Sequence, residues 1–139
     1  MFIRPLKIQD ESQVVALMEN FLFLTKKEVL FNAAECLNDS NVHGLVIEDN
    51  GNVVGHGALV VSRIPSKGLY GIVHDVVVSD QYRGQGLGRK LVNELVDLAR
   101  SLKLPLIVLT SNKARVAARN LYESIGFVEK DTGFFEMVL

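Results

Sequence analysis

The run Val76-Val77-Val78-Ser79-Asp80-Gln81-Tyr82-Arg83-Gly84-Gln85-Gly86-Leu87-Gly88-Arg89 constrains this chain more than any other segment. Three consecutive valines suit a strand covered on both faces, placed centrally in a sheet. Leu87, Leu91, Leu95, Leu98 and Leu102 then keep helical spacing. A buried strand must therefore pass through a glycine-rich turn straight into a helix N-terminus. Glycines let the backbone approach an anion closely, and the unpaired N–H groups and dipole of the helix start direct positive charge at it. Arg83 and Arg89 add full charges. The plainer alternative is a turn that only caps a helix.

Two nucleotide loops do not fit this spacing. A dinucleotide fingerprint needs G-x-G-x-x-G, whereas Gly84, Gly86 and Gly88 alternate, position 89 is Arg, and no acidic residue ends the next apolar run to hold a ribose. A P-loop ends in G-K-[ST], and Gly88-Arg89-Lys90-Leu91 has neither that lysine placement nor the hydroxyl.

Charge sharpens the anion reading. The chain has 139 residues with 15 Lys and Arg against 16 Asp and Glu, a net charge of −1, so no global field draws a duplex or an anionic bilayer. Residues 81–120 nevertheless hold eight basic residues against Glu94 and Asp97, a local +6 offset by −7 elsewhere. Such a segment fits one small polyanion, or else a set of solvated helix faces. Nucleic acid and membrane are not expected as partners, since the longest apolar stretches fall far short of the roughly 20 residues of a span. At this length and 48% hydrophobic content, residues 1–139 are expected to form one domain around one core. Cys36 has no disulfide partner within the chain and the N-terminus has no secretory pattern, so the expected location is cytoplasmic.

The remaining elements follow from periodicity. Residues 2–6 read as a strand, and Asp10, Glu11 and Ser12 precede Val14, Leu17, Met18 and Phe21 at helical spacing. A second helix is expected over residues 26–37, with Leu30, Ala33, Ala34 and Leu37 on one face and Cys36 near it as an inert thiol. Residues 42–47 and 53–61 flank Asn50-Gly51, the signature of a tight hairpin. Residues 104–109 read as a strand reached by the leucine-rich helix, and Ala118, Leu121, Tyr122 and Ile125 as a further helix stopped by Gly126. Residues 127–129 and 134–138 look like short closing strands. The fold class expected is α/β (α+β): a mixed, mainly antiparallel six- to seven-stranded sheet flanked by about four helices, with one late βαβ crossover.

Arg83, Gly86 and Gly88 meet the form [QR]-x-x-G-x-[GA], which resembles the acetyl-CoA loop of the GNAT superfamily of N-acetyltransferases. Leu121-Tyr122-Glu123-Ser124-Ile125-Gly126-Phe127 is similar to that family's C-terminal L-Y-E-x-x-G-F signature, and the succession of elements matches from Phe2 to Leu139. The resemblance implies that the CoA pyrophosphate lies on backbone N–H groups of Arg83, Gly84, Gln85, Gly86, Leu87, Gly88 and Arg89. It also implies that the pantetheine arm pairs with the backbone of Val76 and Val78, and that an N–H near Val76 serves the oxyanion. Tyr122 matches the tyrosine that protonates the departing thiolate, or else packs on an apolar helix face. His74 stands where several members carry a glutamate that deprotonates the amine; an imidazole titrates near neutrality and could do so, and a hydrogen-bonded strand histidine is the alternative. Asn112 either contacts CoA or caps the next helix.

His43 and His56 lie apart and no residue set has metal-ligand spacing, so no metal is expected. The expected activity is acetyl transfer from acetyl-CoA, as co-substrate, to a primary amine of a small molecule by direct transfer in a ternary complex. Residues 54–78 and the following loop are also similar to glucosamine-phosphate N-acetyltransferases, where Arg63 and Lys67 could meet a sugar phosphate, but that subfamily carries glutamate at position 74. A non-catalytic CoA-binding module is the alternative from another class. Pairing of the late strands could make a homodimer, as the resemblance implies for many members of the family.

Overall fold

A computed structural model describes residues 1–25 and 27–139. The strands are β1 (Phe2–Pro5), β2 (Val42–Asp49), β3 (Asn52–Ile64), β4 (Gly68–Val78) and β5 (Ile107–Val108). The α-helices are α1 (Glu11–Leu17), α2 (Ala33–Asn38), α3 (Leu87–Ser101) and α4 (Val116–Ile125). Among the described residues the sheet has five strands in the order β1-β2-β3-β4-β5, antiparallel except for β4 with β5. The β4-α3-β5 unit is thus the expected crossover. Asn50 and Gly51 both take positive φ, 49° and 84°, as a two-residue hairpin turn requires.

Each sheet face buries its own helices. Val14, Leu17, Met18 and Ala33 pack with Val46, Val53 and Val77 on one face. Leu87 and Leu91 meet Ile47 and Val54 on the other, and Leu95 and Ala99 meet Leu59 and Val73 beside them. α3 can come this close because β3 has glycine at position 57: a Cβ there would stand 3.1 Å from Leu95 Cδ1.

Three expectations need correction. The second helix spans only Ala33–Asn38, because Asn32 leaves the helical region (φ −131°) and its Oδ1 accepts from the Glu35 N–H, starting the helix there. Residues 27–32 are irregular; Val29 and Phe31 pack on the core while Leu30 is 88% exposed, a two-residue alternation. Lys26, the expected first residue of that helix, lies outside the described residues. The closing strands do not form: residues 127–139 have no ladder, and Phe134, Phe135, Met137 and Val138 are exposed. A strand needs an edge to pair with. β5 is two residues long rather than the six expected, and Glu129 instead meets Arg119 at 2.6 Å. Among the described residues the sheet therefore has five strands where six or seven were expected. Finally, α1 widens into a π-helical turn, Met18–Leu22, whose Leu22 carbonyl accepts from Arg115 at the start of α4.

Candidate functional site

β4 is the element around which the site is built. Opposite the single residue Gly57, β4 supplies two, Asp75 and Val76, because the pairing shifts between His56↔Val77 and Ala58↔His74. This is a β-bulge, and Asp75 sits in it at φ 52°, a conformation that Asp tolerates better than most side chains. Just before the bulge, β4 parts from β5, whose pairing stops at Ile72. Ser79 N–H donates to Val54 on β3 at 2.9 Å, so by the strand's two-residue alternation the N–H groups of Val78 and Val76 face away from β3, toward the parted side. Both valine side chains rest on the α3 face of the sheet.

The chain leaves β4 through a 3-10 turn, Asp80–Tyr82, and reaches α3 through two left-handed glycines, Gly84 (φ 78°) and Gly86 (φ 75°). Nothing lies within 4 Å of a Cβ placed on either, so backbone conformation and not crowding demands glycine here. Leu87 anchors the turn in the core while Gly84, Gln85 and Gly86 stay exposed. The first N–H groups of a helix have no partner within it, and those of α3 open outward at this point. Arg83 is partly engaged by Asp80 (2.8 Å) and Arg89 by the Ser124 hydroxyl (2.7 Å). Gly88 faces Leu121, whose Cδ2 would stand 3.4 Å from a Cβ there. The glycine turn and the Leu121-Tyr122 helix, remote in sequence, therefore touch.

Tyr122 is half-buried, edge-to-face on Phe127 at 6.0 Å. Burial raises its phenol above the usual value, opposed by the Arg115 charge, so it keeps its proton at neutral pH. Arg115 lies seven residues before Tyr122, two turns along α4, and grips the Leu22 carbonyl. Leu22 lines a cavity of about 350 Å³ together with Met18, Phe23, residues 28–32, Glu35, Cys36 and Asp75 of the β4 bulge. Among the described residues that lining holds the carboxylates of Glu28, Glu35 and Asp75, the rings of Phe23 and Phe31, and no basic side chain.

His74 is exposed, one residue before the bulge, and is not among the residues lining the cavity. Asn112 commits its Oδ1 to the Ala114 N–H (2.8 Å), a turn that leads into α4, while Arg115 occupies the cap position itself. Arg63 pairs with Leu69 toward the far hairpin of β3 and β4, six residues from Asp75. At about 3.3 Å per strand residue that is roughly 20 Å from the cavity. Cys36 lines the cavity with its thiol pushed up by burial and by nearby carboxylates.

Sequence reasoning passed over His56. It is 2% exposed, its Nδ1 donates to the Asp75 carbonyl at 3.0 Å, and burial pushes the imidazole below its ordinary value. The Asp75 carbonyl is thus held by His56 across the sheet. Among the described residues no helix is long and apolar enough to cross a membrane, and no group of three or more His, Cys, Asp or Glu could hold a metal ion.

A family model for the acetyltransferase (GNAT) family matches residues 10–127. The L-amino acid N-acyltransferase MnaT of Escherichia coli (strain K12) is 34% identical over 84 residues, 60% of this chain and 49% of that protein. The chain thus spans about half that relative's length. Glucosamine 6-phosphate N-acetyltransferase of Trypanosoma brucei brucei is 28% identical over 132 residues, 88% of this chain and 87% of that protein. The crystal structure of an aminoglycoside acetyltransferase from an uncultured soil metagenomic sample superposes with a TM-score of 0.85 over 99% of this chain and 95% of that one. At 20% identity that likeness shows the fold alone. A family match running from the first helical turn to the residue after Gly126 embraces both the glycine turn and the helix that meets it: the chain belongs to the acetyltransferase (GNAT) family.

Proposed function

We propose that the protein transfers an acetyl group from acetyl-CoA directly to the primary amine of a small cationic molecule. The observation that carries this reading is that β4 links a carboxylate-lined cavity at its bulge to a cationic glycine turn that follows its C-terminal end. The pyrophosphate would lie on the N–H groups from Arg83 to Arg89, and the pantetheine would run along the open edge of β4 at Val76 and Val78. Asn112, with its Oδ1 and its backbone carbonyl both bound into its own turn, would meet CoA through its N–H donors.

The amine nitrogen attacks the thioester carbon, and the oxyanion that forms accepts from the Val76 N–H. As the C–S bond breaks, the thiolate takes the proton of Tyr122. The proton lost by the amine passes through water to the exposed His74, and solvent returns a proton to the Tyr122 phenolate. His74→Ala is then expected to remove the acidic limb of the kcat/KM profile.

The carboxylates in the cavity favour an acceptor with a second positive charge, such as a diamine, over one with a phosphate. The sugar-phosphate reading keeps one observation in its favour, the likeness to the trypanosomal glucosamine 6-phosphate enzyme along nearly the whole chain. Thiol release from acetyl-CoA, followed against a panel of diamines, amino acids, aminoglycosides and glucosamine 6-phosphate, separates them. The expected order has diamines first; a preference for glucosamine 6-phosphate would replace the cationic acceptor with the phosphorylated one. Acetyl-CoA binding with no amine-dependent release would instead indicate a binding module.

A further inference from the structure

His56 is buried in β3, and the chemistry above makes no use of it. A carbonyl oxygen only accepts, so at 3.0 Å from the Asp75 oxygen the His56 Nδ1 must carry the hydrogen. Phe31 closes on the ring from another side, edge-to-face at 5.7 Å and 73°. Both groups that hold the imidazole, Phe31 and Asp75, also line the cavity.

The carbonyl that His56 holds belongs to the strained residue of the bulge, with φ 52°. It also shares one peptide plane with the Val76 N–H. Across a planar trans peptide the C=O and N–H point in opposite directions. A carbonyl fixed toward β3 therefore fixes the Val76 N–H toward the parted side of β4, where the reacting carbonyl group would lie. Where the register shifts, the regular ladder no longer dictates that orientation, and a side chain does so instead.

We infer that His56 is a positioning residue for acyl transfer, locking the Asp75-Val76 peptide so that the Val76 N–H stays aimed at the developing oxyanion. The inference rests on the acetyl-transfer reading for its consequence in rate, though not for the state of the peptide.

Three variants test it. His56→Phe keeps a ring and loses the donor; kcat is expected to fall by about tenfold or more, with acetyl-CoA affinity by calorimetry changing by less than about threefold. His56→Asn places an amide N–H near the Nδ1 position and recovers most of the lost kcat. His56→Gln, which fills more volume but carries its amide one bond further out, does not. A residue that merely filled space would rank Gln above Asn. Unaltered kcat in His56→Phe, or recovery by Gln equal to that by Asn, would overturn the inference, and the Asn-to-Gln comparison stands even where the Phe variant does not fold.

A second readout needs no turnover. The Val76 amide resonance in a nitrogen-15 spectrum is expected to stay sharp and near its wild-type position in His56→Asn and to shift or broaden in His56→Gln. An amide that does not distinguish the two contradicts the inference. Wild-type protein that binds acetyl-CoA but acetylates no amine would defeat the functional reading alone, while the Val76 resonance still decides the role of His56.

Discussion

The two sides of β4 are built by different means. On the side of the glycine turn, strand, turn and helix are consecutive in the chain, the hydrophobic spacing is regular, and the charge is positive. On the cavity side, an irregular stretch, a π-helical turn, a bulge and the start of α4 come together from positions 18 to 115, and the lining is acidic. On the proposed reading, the difference teaches that a site for a shared polyanionic co-substrate can be written in one short segment, while a site for a particular acceptor is assembled from long-range contacts.

The sharpest way to break this division is at the residue that should join the two sides. Tyr122→Phe is expected to lower turnover by about a hundredfold, with acetyl-CoA affinity nearly preserved, because the role proposed for the phenol is to supply a proton and little binding. Turnover and affinity falling together, read by kinetics and calorimetry, would make Tyr122 a packing residue of α4.

Next in size is a change confined to the turn. Gly86→Val meets no neighbour but must hold φ near 75°, which a β-branched residue resists, so acetyl-CoA affinity is expected to drop by about tenfold. The KM for the amine should hold. If it rises in step, the two sides are not separate devices.

The acidic lining gives a smaller effect. Glu28→Gln or Glu35→Gln, each removing one charge near solvent, is expected to raise the KM for a diamine by about three- to fivefold and to leave that for acetyl-CoA unchanged. An unaltered diamine KM in the double variant would detach the cavity from acceptor binding.

The smallest effect concerns stability. Burial holds the His56 pKa in the folded protein below its unfolded value of about 6.5. Between the two values the unfolded chain binds a proton that the folded one does not, so this contribution is complete above pH 6.5 and fades as the pH drops below it. The urea midpoint should therefore decline on acidification from pH 7 to 5, and His56→Asn should flatten that decline. An equal slope in the variant would assign the pH dependence to other groups.

The same division explains what could be read in advance. The valine run, the alternating glycines and the leucine spacing are local signals, and β4, the turn and α3 lie where they point. The family match covers the same ground. The cavity side was not legible, because Asn32 stops a helix that the spacing of Leu30 and Ala33 favours, and only the inward Val29 and Phe31 around the outward Leu30 signal the extended segment. The bulge was equally hidden: Asp within an apolar strand hints at a left-handed residue, but the partner that holds it, His56, is 19 positions away. The closing strands failed for a related reason. Their apolar residues, Phe127, Val128, Phe134, Phe135, Met137 and Val138, suggested strands, yet β5 offers only Ile107 and Val108 as an edge.

Initial rates of CoA release, measured while acetyl-CoA and a diamine are varied together, test the central claim most directly. The account predicts intersecting double-reciprocal lines, as a ternary complex across β4 requires, and a lower KM for the diamine than for glucosamine 6-phosphate. Parallel lines, which signal an acetylated enzyme, or release that ignores the amine altogether, would contradict it.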